Sequence, residues 1–271
     1  MFREHEKTFI SELLRLFAQA KQVDEFEFIS VLMNWNGSGN SRALSHIHES
    51  QDLIKQVLAL MDRPMRKPSR IAVLLRPFRK RVPDDLPSGY AQLRMLLLLY
   101  CHIFEMDDFY NVLGNMLRVT QGERYVVNLY NAPNTTPALK PSNKLDKLES
   151  LAKAAGYPKL IVALRALYSS PLRNAFFHSS YSLSDGDFII VRGKPFIFGI
   201  VQTQAASIRD YVAPMVTATT NIASAFFYYY QRERLQYTSN KKVQGRVGPG
   251  GVMINVEIQG HPKYGLTGFR C

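Results

Sequence analysis

Cysteine is nearly absent from this sequence: two occur among 271 residues, Cys101 inside an apolar stretch and Cys271 at the last position. A pair so placed supports neither a disulfide framework nor a cysteine-rich zinc site, so a reducing compartment, the cytoplasm, is the expected setting. Long apolar runs are also missing. The most apolar one, Met95 to Ile103, lies between Arg94 and Glu105 and falls far short of the roughly 20 residues that a membrane span needs. It reads as a core helix, and no membrane partner is expected. The opening residues, MFREHEKTFI, are charged and lack a hydrophobic signal core. Acidic residues are scarce as well, 22 against 34 basic ones, for a net charge of +12. With 46% hydrophobic and 21% charged residues the chain is not wholesale disordered and is long enough to bury a full core.

The excess base is unevenly placed. Arg63 to Arg81 holds eight basic residues and no acid, and Gln231 to the end holds seven against Glu233 and Glu257. The rest of the chain is close to neutral. Clustered positive charge attracts phosphate polyanions, and Arg66, Lys67, Arg70, Arg76, Arg79, Lys80 and Arg81 are the expected RNA contacts. The alternative for the same residues is a solubilising face.

Helical periodicity dominates the organisation. Phe9, Leu13, Leu14, Leu16 and Phe17 predict a first helix, Val23 to about Met33 a second, and Ser41 to about Met61 a third after the break Asn36-Gly-Ser-Gly-Asn40. Residues 1–62 therefore form an N-terminal helical region. Five prolines from Pro64 to Pro87 make 63–88 a basic linker. From Gly89 to about Val119 a long helix is expected, and Ala132 to Pro141 is a loop. Ser169-Ser170-Pro171 then has the form of a helix start, with serine as cap and proline in the first turn. Tyr181 to Val201 breaks into short β-like runs around the turns Ser184-Asp-Gly-Asp187 and Arg192-Gly-Lys-Pro195. A long helix from about Ala206 to Gln236, bent near Pro214, completes a region spanning 89–240. The tail, 241–271, shows one alternating strand at Val252 to Ile258. The fold class expected is mainly α with a small antiparallel hairpin or meander at 181–201.

Pro171-Leu-Arg-Asn-Ala-Phe-Phe-His178 carries the clearest chemistry. Arginine offers a permanent planar cation suited to phosphate oxygens, and histidine moves protons near neutral pH. Together they suffice for metal-free RNA cleavage, in which the ribose 2′-OH attacks, histidine handles a proton and arginine neutralises charge on the phosphate. Asn174 adds a neutral group able to orient either partner. With 20 arginines and six histidines present, about 0.4 such pairs are expected by chance, so the helix-start and helix-end setting carries the weight. On a continuous helix the i, i+5 spacing rotates the pair about 140° apart. The site therefore needs a helix that ends between them, or two motifs meeting across a subunit interface. Ser179-Ser-Tyr181 favours an end near His178.

This segment resembles the motif of the HEPN family: an arginine, a polar residue, and a histidine at a helix end four to six residues on, here Arg173, Asn174 and His178. The resemblance covers about Leu164 to Asp187, with helical context loosely from 90 to 236. It implies a helical bundle, commonly a homodimer lining one cleft with both motifs. It also implies metal-independent endoribonuclease activity without a cofactor, often in defence or toxin–antitoxin systems with a protein antitoxin or regulator. A non-catalytic module binding nucleic acid, nucleotides or protein is the alternative. So is an N-terminal region that binds a partner while the remainder dimerises. The bland reading of the motif is a surface arginine and a histidine closing a helix.

Other features carry less. His46 and His48 stand two apart, about 200° round a helix, and do not chelate one ion together. His102 reads as a core or interface residue. Gly245-Arg-Val-Gly-Pro-Gly-Gly251 lacks the Lys-Ser/Thr ending of a P-loop and reads as a turn. Of the aromatic run Phe226 to Tyr230, some rings are able to stack bases and others must be core. No metal site is expected.

Overall fold

The computed structural model describes residues 2–33, 52, 56, 89–127, 129–130, 139–247 and 251–270. The glycine break at 36–40, the helix expected over 41–61 (apart from Asp52 and Gln56), the linker 63–88 with its seven candidate RNA contacts, and most of the loop at 132–141 lie outside them, as do His46 and His48. The architecture is mainly α with small antiparallel sheets. Among the described residues no helix is long and apolar enough to cross a membrane. The chain divides into two compact units, each assembled from separated stretches.

The first unit takes the described residues of Met1–Glu6, His48–Glu105 and Leu164–Ser224. Its helical frame is α3 (Tyr90–Glu105) against α7 (Ser170–Phe177). α7 starts as its sequence predicts: the Ser169 side chain accepts from Leu172 N at 3.3 Å, and Pro171 occupies the first turn, where no N–H partner is required. Tyr100 Oη accepts from Ser169 N at 2.7 Å, and Phe104 packs on Tyr168 with ring centroids 4.9 Å apart. These contacts fix the entry of α7 on α3.

After α7, β1 (Tyr181–Ser184) pairs antiparallel with β2 (Asp187–Ile190), and β5 (Ala205–Ser207) joins the far edge of β2. The connection Asp185-Gly186 has positive φ at both residues, 50° and 86°, the backbone that a two-residue primed turn demands. β3 (Phe196–Phe198) and β4 (Val201–Thr203) form a separate hairpin. Phe176, Tyr181, Phe188, Phe196 and Tyr211 make a continuous file of ring contacts at 5.0–6.2 Å, tying the end of α7 to both hairpins.

The second unit takes the described residues of Lys7–Ile47, Met106–Ala163 and Ala225–Cys271. It contains α1 (Phe2–Val23) from Lys7 onward, α2 (Glu25–Met33), α4 (Asp107–Val119), α5 (Pro141–Ala154) and α6 (Pro158–Ala166) up to Ala163. It also holds the last turns of α8 (Ala213–Leu235) and the sheet β6 (Lys241–Val247), β7 (Val252–His261), β8 (Gly265–Arg270). Phe9, Leu13, Leu16, Phe17 and Ala20 recur on one face of α1 and are all buried. Phe17, Phe28, Phe109 and Phe226 meet in edge-on contacts. Glu27, almost wholly buried, accepts from Tyr125 N at 2.8 Å and faces Arg124. Burial raises its carboxyl above the usual range.

Three expectations are corrected here. The long helix from Gly89 to Val119 is two helices: Met106 is extended at φ −68°, ψ 108°, and Asp107 and Asp108 open a new first turn, where acids are favoured by the helix dipole. Likewise the helix from Ala206 is preceded by β5 and a π-helical turn, Ile208–Val212, so Pro214 stands in the first turn of α8 rather than at a bend. The tail has three strands instead of one. Gly245 of β6 lies where a Cβ would meet the Phe26 ring at 2.7 Å, so glycine there lets the sheet close on α2.

Candidate active site

Residues Pro171, Asn174, Ala175 and His178 fall on one face of α7 at the i, i+3, i+4, i+7 spacing. They line a cleft of about 370 Å³ with Ser180, Arg192, Gly193 and Lys194. Arg173 and Phe177 occupy the adjoining ridge. α7 ends at Phe177, and His178 is its C-cap: the backbone N–H groups of His178, Ser179 and Ser180 donate to Asn174, Phe176 and Ala175 carbonyls at 3.0, 3.0 and 2.8 Å. Ser179 adopts φ 53°, reversing the chain after the helix. His178 is exposed, and its ring stands at 85° to that of Phe177 with the centroids 5.8 Å apart.

The hairpin that follows delivers the cations. Pairing of β1 with β2 in the register Tyr181↔Ile190 returns the chain to its starting point. Val191 N and Arg192 N then both donate to Ser180 O, at 2.9 and 3.4 Å. Gly193, at φ 132°, turns the chain so that Arg192 and Lys194 flank the cleft. Both are exposed, and neither has an ion-pair partner among the described residues. Two cations with no ion pair among the described residues, beside an imidazole, have the charge and donors that a phosphate group would complement.

Arg173 is placed differently. Its Nη2 forms an ion pair with the Glu105 carboxylate at the end of α3, Nη1 donates to Asn174 Oδ1 at 2.7 Å, and its guanidinium carbon lies 4.8 Å from the Phe177 ring centroid. Its side chain is 16% exposed. Asn174 in turn donates from Nδ2 to Ser170 Oγ at 3.3 Å. Of the three motif residues, Asn174 and His178 therefore share the cleft, while Arg173 braces Asn174 from behind. The separation follows from the helical rotation between positions 173 and 178.

Arg192 and Lys194 look in sequence like turn residues only, and Glu105 like the end of an apolar run. A signal for the two bases existed: a hairpin turning at Asp185-Gly186 must bring 191–194 back beside 178–180. No local pattern announces Glu105, which is 68 positions from Arg173.

Two other reactive groups of this unit are quiet. Burial pushes the Cys101 thiol up to about 12, which suppresses its thiolate. His102 is held below the ordinary imidazole range by burial, and its Nε2 has no hydrogen-bond partner among the described residues. Among the described residues no group of three or more His, Cys, Asp or Glu is placed to hold a metal ion. No family model, curated protein or solved structure matches the chain.

Proposed function

We propose that this protein is a metal-independent endoribonuclease of the HEPN kind, with its reaction centred on His178. The observation that carries the reading is the cleft in which exposed His178, Asn174 and two cations without an ion pair among the described residues, Arg192 and Lys194, converge. Arg192 and Lys194 hold the scissile phosphate and neutralise its developing charge. The 2′-OH of the preceding ribose attacks phosphorus, the bond to the 5′-oxygen breaks, and the products are a 2′,3′-cyclic phosphate and a 5′-hydroxyl. His178 exchanges a proton with the attacking or the leaving oxygen. The other proton transfer requires a second group, which a homodimer supplies as a second His178. Arg173 acts as a positioning residue that holds Asn174 at the wall of the cleft.

The second reading is a binding module that recognises RNA without cutting it, and the commitment of the Arg173 guanidinium to Glu105 is the observation that favours it. Labelled RNA incubated with purified protein in EDTA separates the two. Cleavage that disappears in His178→Ala and falls steeply in the Arg192→Ala/Lys194→Ala double variant, with folding intact, supports the enzyme. Binding without cleavage supports the module.

A further inference from the structure

The ridge beside the cleft carries one more feature. Phe177, the last residue of α7, is 58% exposed. It differs from the other exposed apolar side chains of this unit in what lies behind it. The Arg173 guanidinium sits 4.8 Å from its ring centroid, one helical turn earlier on the same ridge. That cation is not a mobile surface group, because Glu105 and Asn174 hold its two terminal nitrogens. The ring is thus held between the guanidinium and His178, whose ring makes a T-shaped contact with it at 85° and 5.8 Å. At 58% exposure the ring keeps apolar area open to solvent, which a flat partner such as a base can cover by stacking.

We propose that Phe177 is a base-stacking platform through which the cleft selects unpaired over paired nucleotides. This inference rests on the cleft being a phosphate site. With a phosphate between His178, Arg192 and Lys194, the base of an adjoining nucleotide lies within one nucleotide's span of the Phe177 ring. A base within a duplex has both faces covered by its neighbours and cannot take that position, whereas an unpaired base can. The platform discriminates by strandedness and not by sequence, since every base has a π face. It also gives the Arg173–Glu105 pair a purpose in recognition: it stiffens the ring from behind.

A 2′-O-methyl RNA oligonucleotide containing 2-aminopurine tests this separately from catalysis, because it has no 2′-OH to attack. The wild-type protein should bind it and quench the 2-aminopurine. Phe177→Ala should weaken that binding by roughly 5- to 150-fold, the range for one stacked base, and abolish the quenching. Phe177→Tyr should retain both. Binding to a duplex of the same length should change less than about twofold in Phe177→Ala. Single-strand affinity within twofold of wild type in Phe177→Ala overturns the proposal. So does equal loss for single strand and duplex, or a shift in oligomeric state by light scattering without loss of single-strand binding, which would make Phe177 a contact between copies. Failure of catalysis alone, with this stacking intact, overturns the enzyme and leaves the platform standing.

Discussion

Replacing Glu105 by Gln and Arg173 by Met, singly and together, tests the brace behind the cleft. The side chains are 32% and 16% exposed, so the pair lies between a surface ion pair, about 0.2–1 kcal/mol, and a buried one, where removal of one partner costs about 3–5 kcal/mol. An intermediate of roughly 1–3 kcal/mol per single substitution follows. Glu105→Gln leaves a guanidinium whose Nε is already buried without a hydrogen-bond partner among the described residues, so lost charge is not made good by them. The two residues touch, and their effects should not add. Urea unfolding of the four proteins should give a coupling of about 1–2 kcal/mol, and additivity within about 0.5 kcal/mol would refute the brace. The same proteins report on function. If Arg173 only positions Asn174, Glu105→Gln and Arg173→Met lower cleavage by similar factors. If Arg173 itself contacts phosphate, Glu105→Gln, which frees the guanidinium, preserves or raises cleavage while Arg173→Met abolishes it.

Further expectations concern charge, pH and backbone. Arg192→Ala and Lys194→Ala should each weaken RNA binding and flatten the dependence of log affinity on log salt by about 0.7 for a single strand; unchanged slopes would remove these residues from the phosphate site. His102, held low by burial, stays neutral in the fold while the unfolded chain takes up a proton, so stability should fall as pH drops below about 6.5. His102→Gln should lessen that fall between pH 7.5 and 5.5 in denaturant titrations, and an identical pH slope would contradict it. Gly265 has φ +68°, and a Cβ there would stand 2.4 Å from the Arg234 carbonyl oxygen. Gly265→Ala should therefore destabilise by at least about 2 kcal/mol, clearly more than Gly122→Ala, which has a similar φ, +74°, but open space around it. Equal losses at the two positions would show that the contact contributes nothing.

What the sequence revealed, and what it hid, follows from the range of each signal. The cap at Ser169, the proline after it and the end of α7 at His178 are local, and the structure has them where the residues put them. The Asp185-Gly186 turn is equally local. The break at Met106 was legible in Asp107 and Asp108 but was masked by dense apolar residues on both sides. β6, Lys-Lys-Val-Gln-Gly-Arg-Val, shows little strand character because its pairing with β7 and its closure on Phe26 supply the stability that its composition does not. In the cleft the histidine and asparagine stood out in sequence. The cations opposite them have only the look of turn residues, and the carboxylate holding Arg173 comes from a distant helix.

The most direct test of the central claim is the identity of the RNA ends after incubation with the wild-type protein in EDTA. The account predicts 2′,3′-cyclic phosphate and 5′-hydroxyl termini, with the rate reduced about 10²- to 10⁴-fold in His178→Ala. Intact RNA, or fragments bearing 5′-phosphates, would contradict it.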